Sequence, residues 1–370
     1  MSLYLGLLSG TSMDGIDAAL LDIDPSGMRL RAADAYDWPA LLQARLRRAA
    51  EDYEHIGLTE YGSLDTSVGV EFANAATRLL ESAGIAPAAV RAIGSHGQTV
   101  LHQPHGAAPF TLQIGDPNLI AERVRIDVVA DFRRRDLAAG GEGAPLMPAF
   151  HAAAFAGGGE TRAVVNIGGI ANLTLLPAAG DVIGFDTGPG NCLLDSWARR
   201  HLNQDYDAGG AWARSGRVDE RLLAQLLAEP YFARPFPKST GRDTFSDSWL
   251  ERRLGGATRQ PADVQATLAE LTVRSIADAL HRCGGAAARA LFVCGGGAFN
   301  DDLMRRLATA LPGARVRTTA DYGIAPAHVE AAGFAWLAHR YLEGLAGNLP
   351  SVTGAGHPVP LGALYRGDVV

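Results

Sequence analysis

The sequence predicts an α/β protein built from two copies of one domain plan. Three observations carry that expectation. At 370 residues the chain is longer than a single core usually grows. Each half opens on two apolar runs joined by a glycine turn, one at Gly10–Gly15 and one at Gly168-Gly169. Each half then adds a third strand, helices, and a late strand that runs into a polar or glycine loop. The repeat is far too long for a solenoid unit, so it reads as a duplicated domain.

Taken in order, Tyr4–Ser9 reads as a strand, Gly10–Gly15 as its turn and Ile16–Ile23 as the returning strand. Pro25-Ser26-Gly27 then turns the chain into a third strand, Met28–Tyr36. Leu41–Glu51 is rich in Leu, Ala and Arg and reads as a helix. Val68, Phe72, Ala76, Leu79 and Leu80 recur at helical spacing up to a stop at Gly84. Val90–Gly94 is a short strand leading into the polar stretch Ser95–Thr99. The second half repeats the plan with strands Arg162–Ile167, Ala171–Leu176 and Asp181–Asp186. A long helix carries Val264, Leu268, Leu271, Ser275 and Ala279 on one face, and the strand Ala290–Cys294 enters Gly295-Gly296-Gly297. The crossing between domains is expected between Asp131 and His151, giving a first domain over 1–135 and a second over 136–350. The Gly- and Pro-rich tail 351–370 would return to one of them.

Composition narrows the function. Apolar residues make up 47% and charged residues 20%, as in globular proteins. The net charge of −7 and dispersed basic residues give no nucleic-acid surface. Three scattered cysteines without CxxC spacing argue against a disulfide framework and a zinc site. No run is long enough to span a bilayer, and no signal-peptide pattern opens the chain, so a cytoplasmic setting is expected.

Several stretches have the residues for chemistry. Gly10, Thr11, Ser12, Met13, Asp14, Gly15, Ile16 and Asp17 form a turn whose hydroxyls and N–H groups suit a phosphate. Asp14 and Asp17 would repel a bare phosphate, so a divalent cation would have to accompany it. An ordinary β-hairpin fits the same residues. Asn166, Gly168 and Gly169 occupy the matching place in the second half, and two such turns could hold a polyphosphate from both sides. A ligand-free Gly-Gly hairpin is the plain alternative. Gly295, Gly296 and Gly297 open a helix near Asn300, where a phosphate or a flat ring could approach; a flexible turn would look the same. They lack both the GxGxxG and the GxxxxGK[ST] spacings.

Asp186 ends a strand before Gly188-Pro189-Gly190, and Asn191 is placed to cap the next helix. Its carboxylate could face a ligand or simply accept N–H bonds from its own loop. His96 sits in a polar stretch and is a candidate substrate contact. Arg133, Arg134 and Arg135 offer a fork for a carboxylate, with Arg134 the expected contact. Glu330 lies near the start of the helix Pro326–Leu342, where the dipole alone would explain it.

Gly10–Asp17, Gly94–Thr99, Gln113–Asp116, Asp131–Asp136 with Gly140–Leu146, Asn166–Asn172 and Gly184–Asn191 together resemble the motifs of the anhydro-N-acetylmuramic acid kinases, in the same order. The resemblance runs from the first strand to about Arg340. It implies two RNase H-like domains of the sugar kinase, Hsp70 and actin superfamily, with ATP and substrate held in a central cleft. It implies the reaction of ATP, water and 1,6-anhydro-N-acetylmuramic acid to N-acetylmuramic acid 6-phosphate and ADP, in peptidoglycan recycling. Asp186 would be the base that activates water, Glu330 a sugar contact, and Asp14 the residue holding Mg2+, through water. A homodimer is expected by the same resemblance. An ATPase switch of the same superfamily is the alternative; a dinucleotide-dependent oxidoreductase is disfavoured by the glycine spacing.

Overall fold

The computed structural model describes residues 2–367 other than 11, 26, 242 and 257. Its first six strands are β1 (Ser2–Ser9), β2 (Gly15–Asp24), β3 (Gly27–Asp37), β4 (Val90–Gln103), β5 (Phe110–Ile114) and β6 (Val128–Ala130). There follow β7 (Arg162–Ile167), β8 (Ile170–Leu176), β9 (Ile183–Pro189), β10 (Ala290–Cys294), β11 (Arg315–Thr318) and β12 (Ala363–Tyr365). The chain divides into two compact units: Met1–Ala154 with His328–Val370, and Phe155–Ala327.

In the first unit the strands lie in the order β12-β6-β4-β1-β2-β3, with β5 paired to β4. In the second the order is β11-β10-β7-β8-β9. Within each unit the first three strands form an antiparallel meander; β4 and then β6, or β10 and then β11, add in parallel beyond the first strand, with β5 antiparallel on β4 as an extra hairpin arm. Both sheets therefore follow one 3-2-1-4-5 plan, and the duplication read from the glycine turns is a duplication of topology.

The helices follow from their apolar spacing. Leu58–Ala83 buries Val68, Phe72, Ala76, Leu79 and Leu80, and stops at Gly84 in the left-handed conformation. Pro261–Arg282 starts on a proline, buries Val264, Leu268, Leu271, Ser275 and Ala279, and ends with His281 and Arg282 at its carbonyl pole. The helix Val329–Leu342 packs on β1, β2 and β4. Gly6 and Gly94 make this possible: a Cβ on either would collide with the carbonyls of Ala331 and Phe334. The sheet and helix backbones meet where no side chain can fit.

The unit boundaries lie at 154/155 and 327/328, not at 135/136 and 350/351 where the sequence placed them. Packing explains the shift. Phe132 and His96 pack against Phe334, and Phe150 against Trp336, all with tilted rings, so residues 136–154 and the helix after 328 pack with the first unit. The tail adds β12 antiparallel to β6. Two local expectations also change. Ser95–Thr99 is not a strand-end loop: β4 continues to Gln103, held by β1 on one side and β5 on the other. Asp186 does not end its strand, since β9 runs on through Gly188 and Pro189 against Ala171 and Ile170.

Candidate active site

In the first unit the turn between β1 and β2 is pinned from beneath. Met13 is buried at φ 56° and donates its N–H to Gly10 O at 3.0 Å. Gln43 Nε2 donates to Met13 O at 2.8 Å, and Gln98 Nε2 to Gly10 O at 3.3 Å. Trp38 Nε1 donates to Ser9 Oγ. These bonds hold the turn's shape from the core side. Above it there is room: a Cβ at Gly10 would meet only Ser12 Oγ, at 3.9 Å. Thr11 lies outside the described residues. Ile16 is buried in the core and reaches no ligand-facing surface, and Gly15 is glycine because Tyr36 O lies 2.9 Å from where its Cβ would stand.

The acids of this turn differ. The Asp14 side chain is 77% exposed, and Arg47 Nη2 lies 4.0 Å from its carboxylate. Asp17 is half-buried, and desolvation, then the charges of Glu330 and Asp14, push its carboxyl up to about 6. Glu330 stands in the first turn of Val329–Leu342, and its charge supports that of Arg133, whose guanidinium burial draws down to about 10. Arg133 Nε donates to His96 Nε2 at 3.0 Å, and Nη1 to Gly143 O at 2.9 Å. His96 Nδ1 lies 3.0 Å from Gly97 O, which fixes the tautomer: Nδ1 carries the proton and Nε2 accepts. Burial, then the Arg133 charge, holds His96 well below its usual range, so it stays neutral.

His96 and Arg134, both expected at the substrate, have different surroundings. His96 is buried and orients Arg133 instead of facing a polar loop. Arg134 is exposed and pairs with Asp131 at 3.5 Å, whereas Arg133 is the arginine near Glu330.

In the second unit the Gly168-Gly169 turn is welded to the next strand-to-helix junction. Gly168 O accepts from Asn191 N–H at 2.8 Å, and Gly169 O from the N–H groups of Gly190 and Cys192. Asn191 does not cap its helix with its side chain; its Nδ2 instead donates to Ile167 O at 3.0 Å, closing the same joint. Space is open over Gly168, where a Cβ would meet only Ile170 O, at 3.6 Å. Gly295, at φ 75°, closes against Asn166 and Ile167, and Gly297 against the Ile167 side chain, so those two glycines serve packing onto β7. A Cβ at Gly296 would meet Asn191 Nδ2 at 3.4 Å.

Asp186 lies in β9 opposite Asn172 of β8. It is held at three points by a segment the sequence reading passed over. Its N–H donates to Lys238 O at 3.0 Å, its carbonyl accepts from Tyr231 Oη at 2.6 Å, and Oδ2 accepts from Thr240 N–H at 3.0 Å. Burial raises its carboxyl to about 6 against the lowering effect of the Thr240 bond. A carboxylate poised near neutrality, with one oxygen fixed, can take a proton from water at physiological pH. Lys238, Thr240 and Tyr231 carried no sequence signal beyond lying in a Pro- and aromatic-rich stretch, and Arg133 was hidden among three adjacent arginines.

Among the described residues no group of three or more His, Cys, Asp or Glu is disposed to hold a metal ion. The donor set suits a cation that arrives with phosphates and takes one or two protein carboxylates, and the open Asp14 beside the turn fits that role.

Two sheets of one 3-2-1-4-5 order, each opening on a glycine-turned meander, make this a duplicated α/β fold. The family model for anhydro-N-acetylmuramic acid kinase matches residues 2–367. The chain belongs to that family. An anhydro-N-acetylmuramic acid kinase of Xanthomonas axonopodis pv. citri is 54% identical over 366 residues, 98% of each chain. One from Shewanella sediminis is 52% identical over 371 residues, 99% of each. Among solved structures, the activator of 2-hydroxyisocaproyl-CoA dehydratase from Clostridium difficile with bound ADPNP aligns over 91% of this chain and 97% of its own, at TM-score 0.43 and 12% identity.

Proposed function

We propose that this chain opens the 1,6-anhydro ring of 1,6-anhydro-N-acetylmuramic acid with water and phosphorylates O6 with ATP, giving N-acetylmuramic acid 6-phosphate and ADP in cell-wall recycling. The observation that carries the mechanism is Asp186, half-buried and raised to about 6, with one carboxylate oxygen tied to Thr240.

The substrate has no free 6-hydroxyl, because O6 bridges to C1. Water attacks C1 and its proton passes to Asp186. The C1–O6 bond breaks, and its electron pair leaves on O6. O6 then bonds to the γ-phosphorus, and ADP departs with the electrons of the broken P–O bond. A base positioned in this way contributes about 10²–10⁴-fold. Glu330 and Arg133 supply an acceptor and a fixed cation for the polar sugar, the latter held in register by neutral His96. The space over Gly168 in the second unit, and separately that over Gly10 in the first, is room that a phosphate group could use. Mg2+, held by Asp14 through water, would neutralise charge developing on the transferring phosphoryl group. We infer a homodimer working in the cytoplasm.

The test is a coupled assay of ADP with product analysis. Equal amounts of ADP and N-acetylmuramic acid 6-phosphate, formed only when the anhydro sugar is present, are expected. ADP release at full rate without sugar would refute the kinase in favour of an ATPase switch.

A further inference from the structure

We propose that Thr240 holds the water that Asp186 deprotonates, a role that rests on Asp186 being the base. Two features of one residue point there. The Thr240 N–H occupies Asp186 Oδ2 at 3.0 Å, which leaves Oδ1 as the oxygen that receives the proton. The Thr240 hydroxyl is buried and has no hydrogen-bond partner in the protein. Burying a hydroxyl without a partner is costly, and native structures rarely leave one so without a reason. Among the described residues of this unit, Gln265 Oε1 and Thr319 Oγ1 are also buried without partners, but only Thr240 belongs to a residue bonded to Asp186.

The backbone around Thr240 is built to keep it in place. Lys238 O receives the Asp186 N–H, and Tyr231 Oη donates to Asp186 O. Lys238 Nζ donates to the carbonyls of Tyr231 and Phe232, at 3.1 and 3.3 Å, and lies 4.4 Å from the Tyr231 ring centroid. Strand and segment thus brace each other on both sides of the carboxylate. A water bonded to Asp186 Oδ1 and to Thr240 Oγ1 gives one hydrogen to each, and its lone pair is then aimed by two fixed atoms. As the water's oxygen bonds to C1, the hydrogen on Oδ1 stays with Asp186; Thr240 releases and gains no proton.

The experiment compares Thr240→Val, which removes the hydroxyl and keeps the N–H and the shape, with Thr240→Ser, which keeps both polar groups. Valine should lower kcat by about 10²-fold, the scale of a misplaced reacting group. It should leave the KM for ATP within twofold and the unfolding temperature unchanged or higher. Serine should stay within a few-fold of the natural protein. The acid limb of the pH–rate profile should keep its midpoint in the valine variant, because the N–H on Oδ2 remains. Near-normal kcat in Thr240→Val, or equal damage in Thr240→Ser, would overturn the proposal, as would a shifted midpoint, which would trace the loss to a displaced backbone. Should valine prevent folding, Thr240→Ala with the same serine rescue decides the question. Asp186→Asn run in parallel separates the two readings: full turnover there sinks the base and Thr240 with it. A dead Asp186→Asn beside an unimpaired Thr240→Val sinks Thr240 alone.

Discussion

Replacing Asp186 with asparagine should strengthen the fold as it removes turnover. The carboxyl is raised from 3.8 to about 6, chiefly by burial. A folded-state pKa above the unfolded one means that the native state prefers the proton. That preference stabilises the fold fully below pH 3.8 and is lost as pH rises to about 6. Roughly two pKa units at about 1.4 kcal/mol each set the loss near 3 kcal/mol. Asparagine does not ionise, and its Oδ1 can still accept the Thr240 N–H. The variant should exceed the natural protein by about 1 kcal/mol at pH 4.5 and about 3 kcal/mol at pH 8. Urea unfolding at the two pH values measures this directly, and the sugar-dependent rate should fall by about 10²–10⁴-fold. A stability difference that ignores pH, or a variant weaker at pH 8, would refute the account of Asp186 as a carboxylate ionised against its surroundings.

Two further outcomes test the first unit. Arg133→Met should raise the KM for the sugar by about tenfold to a hundredfold, the worth of a charged hydrogen bond, and Arg134→Ala should change it less than about twofold, in line with an exposed ion pair; initial rates over a sugar titration decide between the neighbours. Gly94→Ala should cost at least about 3 kcal/mol, at the upper end of overpacking, because the added methyl meets the Phe334 carbonyl; urea unfolding reads the loss.

Much of the fold was legible because its signals are local and repeated. The strands of both meanders, the long helix Pro261–Arg282 and the glycine turns each declare themselves within a few residues. What stayed hidden depends on partners distant in sequence. The extension of β4 past Ser95 rests on pairing with β1 and, from Gln98 to Gln103, with β5, which returns only after the Pro104–Pro109 turn. The unit boundaries were misplaced since Phe132 and Phe150 find their partners near residue 335. In the site, Asp186 carried a family motif, but its supports at Tyr231, Lys238 and Thr240 act mainly through backbone atoms, which leave little trace in residue type. The choice of Arg133 over Arg134 likewise turns on which side of a short helix meets His96, a distinction that three consecutive arginines conceal.

The second unit is one uninterrupted stretch, Phe155–Ala327, spliced into the first. That order has a consequence on the ribosome. One face of the first sheet is covered early, since Leu5 and Leu7 share a core with Val68 and Phe72 of the helix Leu58–Ala83. The other face, at Gly6 and Gly94, awaits Val329–Leu342. Between those events the ribosome must synthesise the whole second unit, which takes on the order of ten seconds at normal elongation rates. The inserted unit can finish folding while its host is still half-dressed. For that interval the nascent chain carries an open sheet face, the kind of surface that chaperones recognise and that aggregates when they do not.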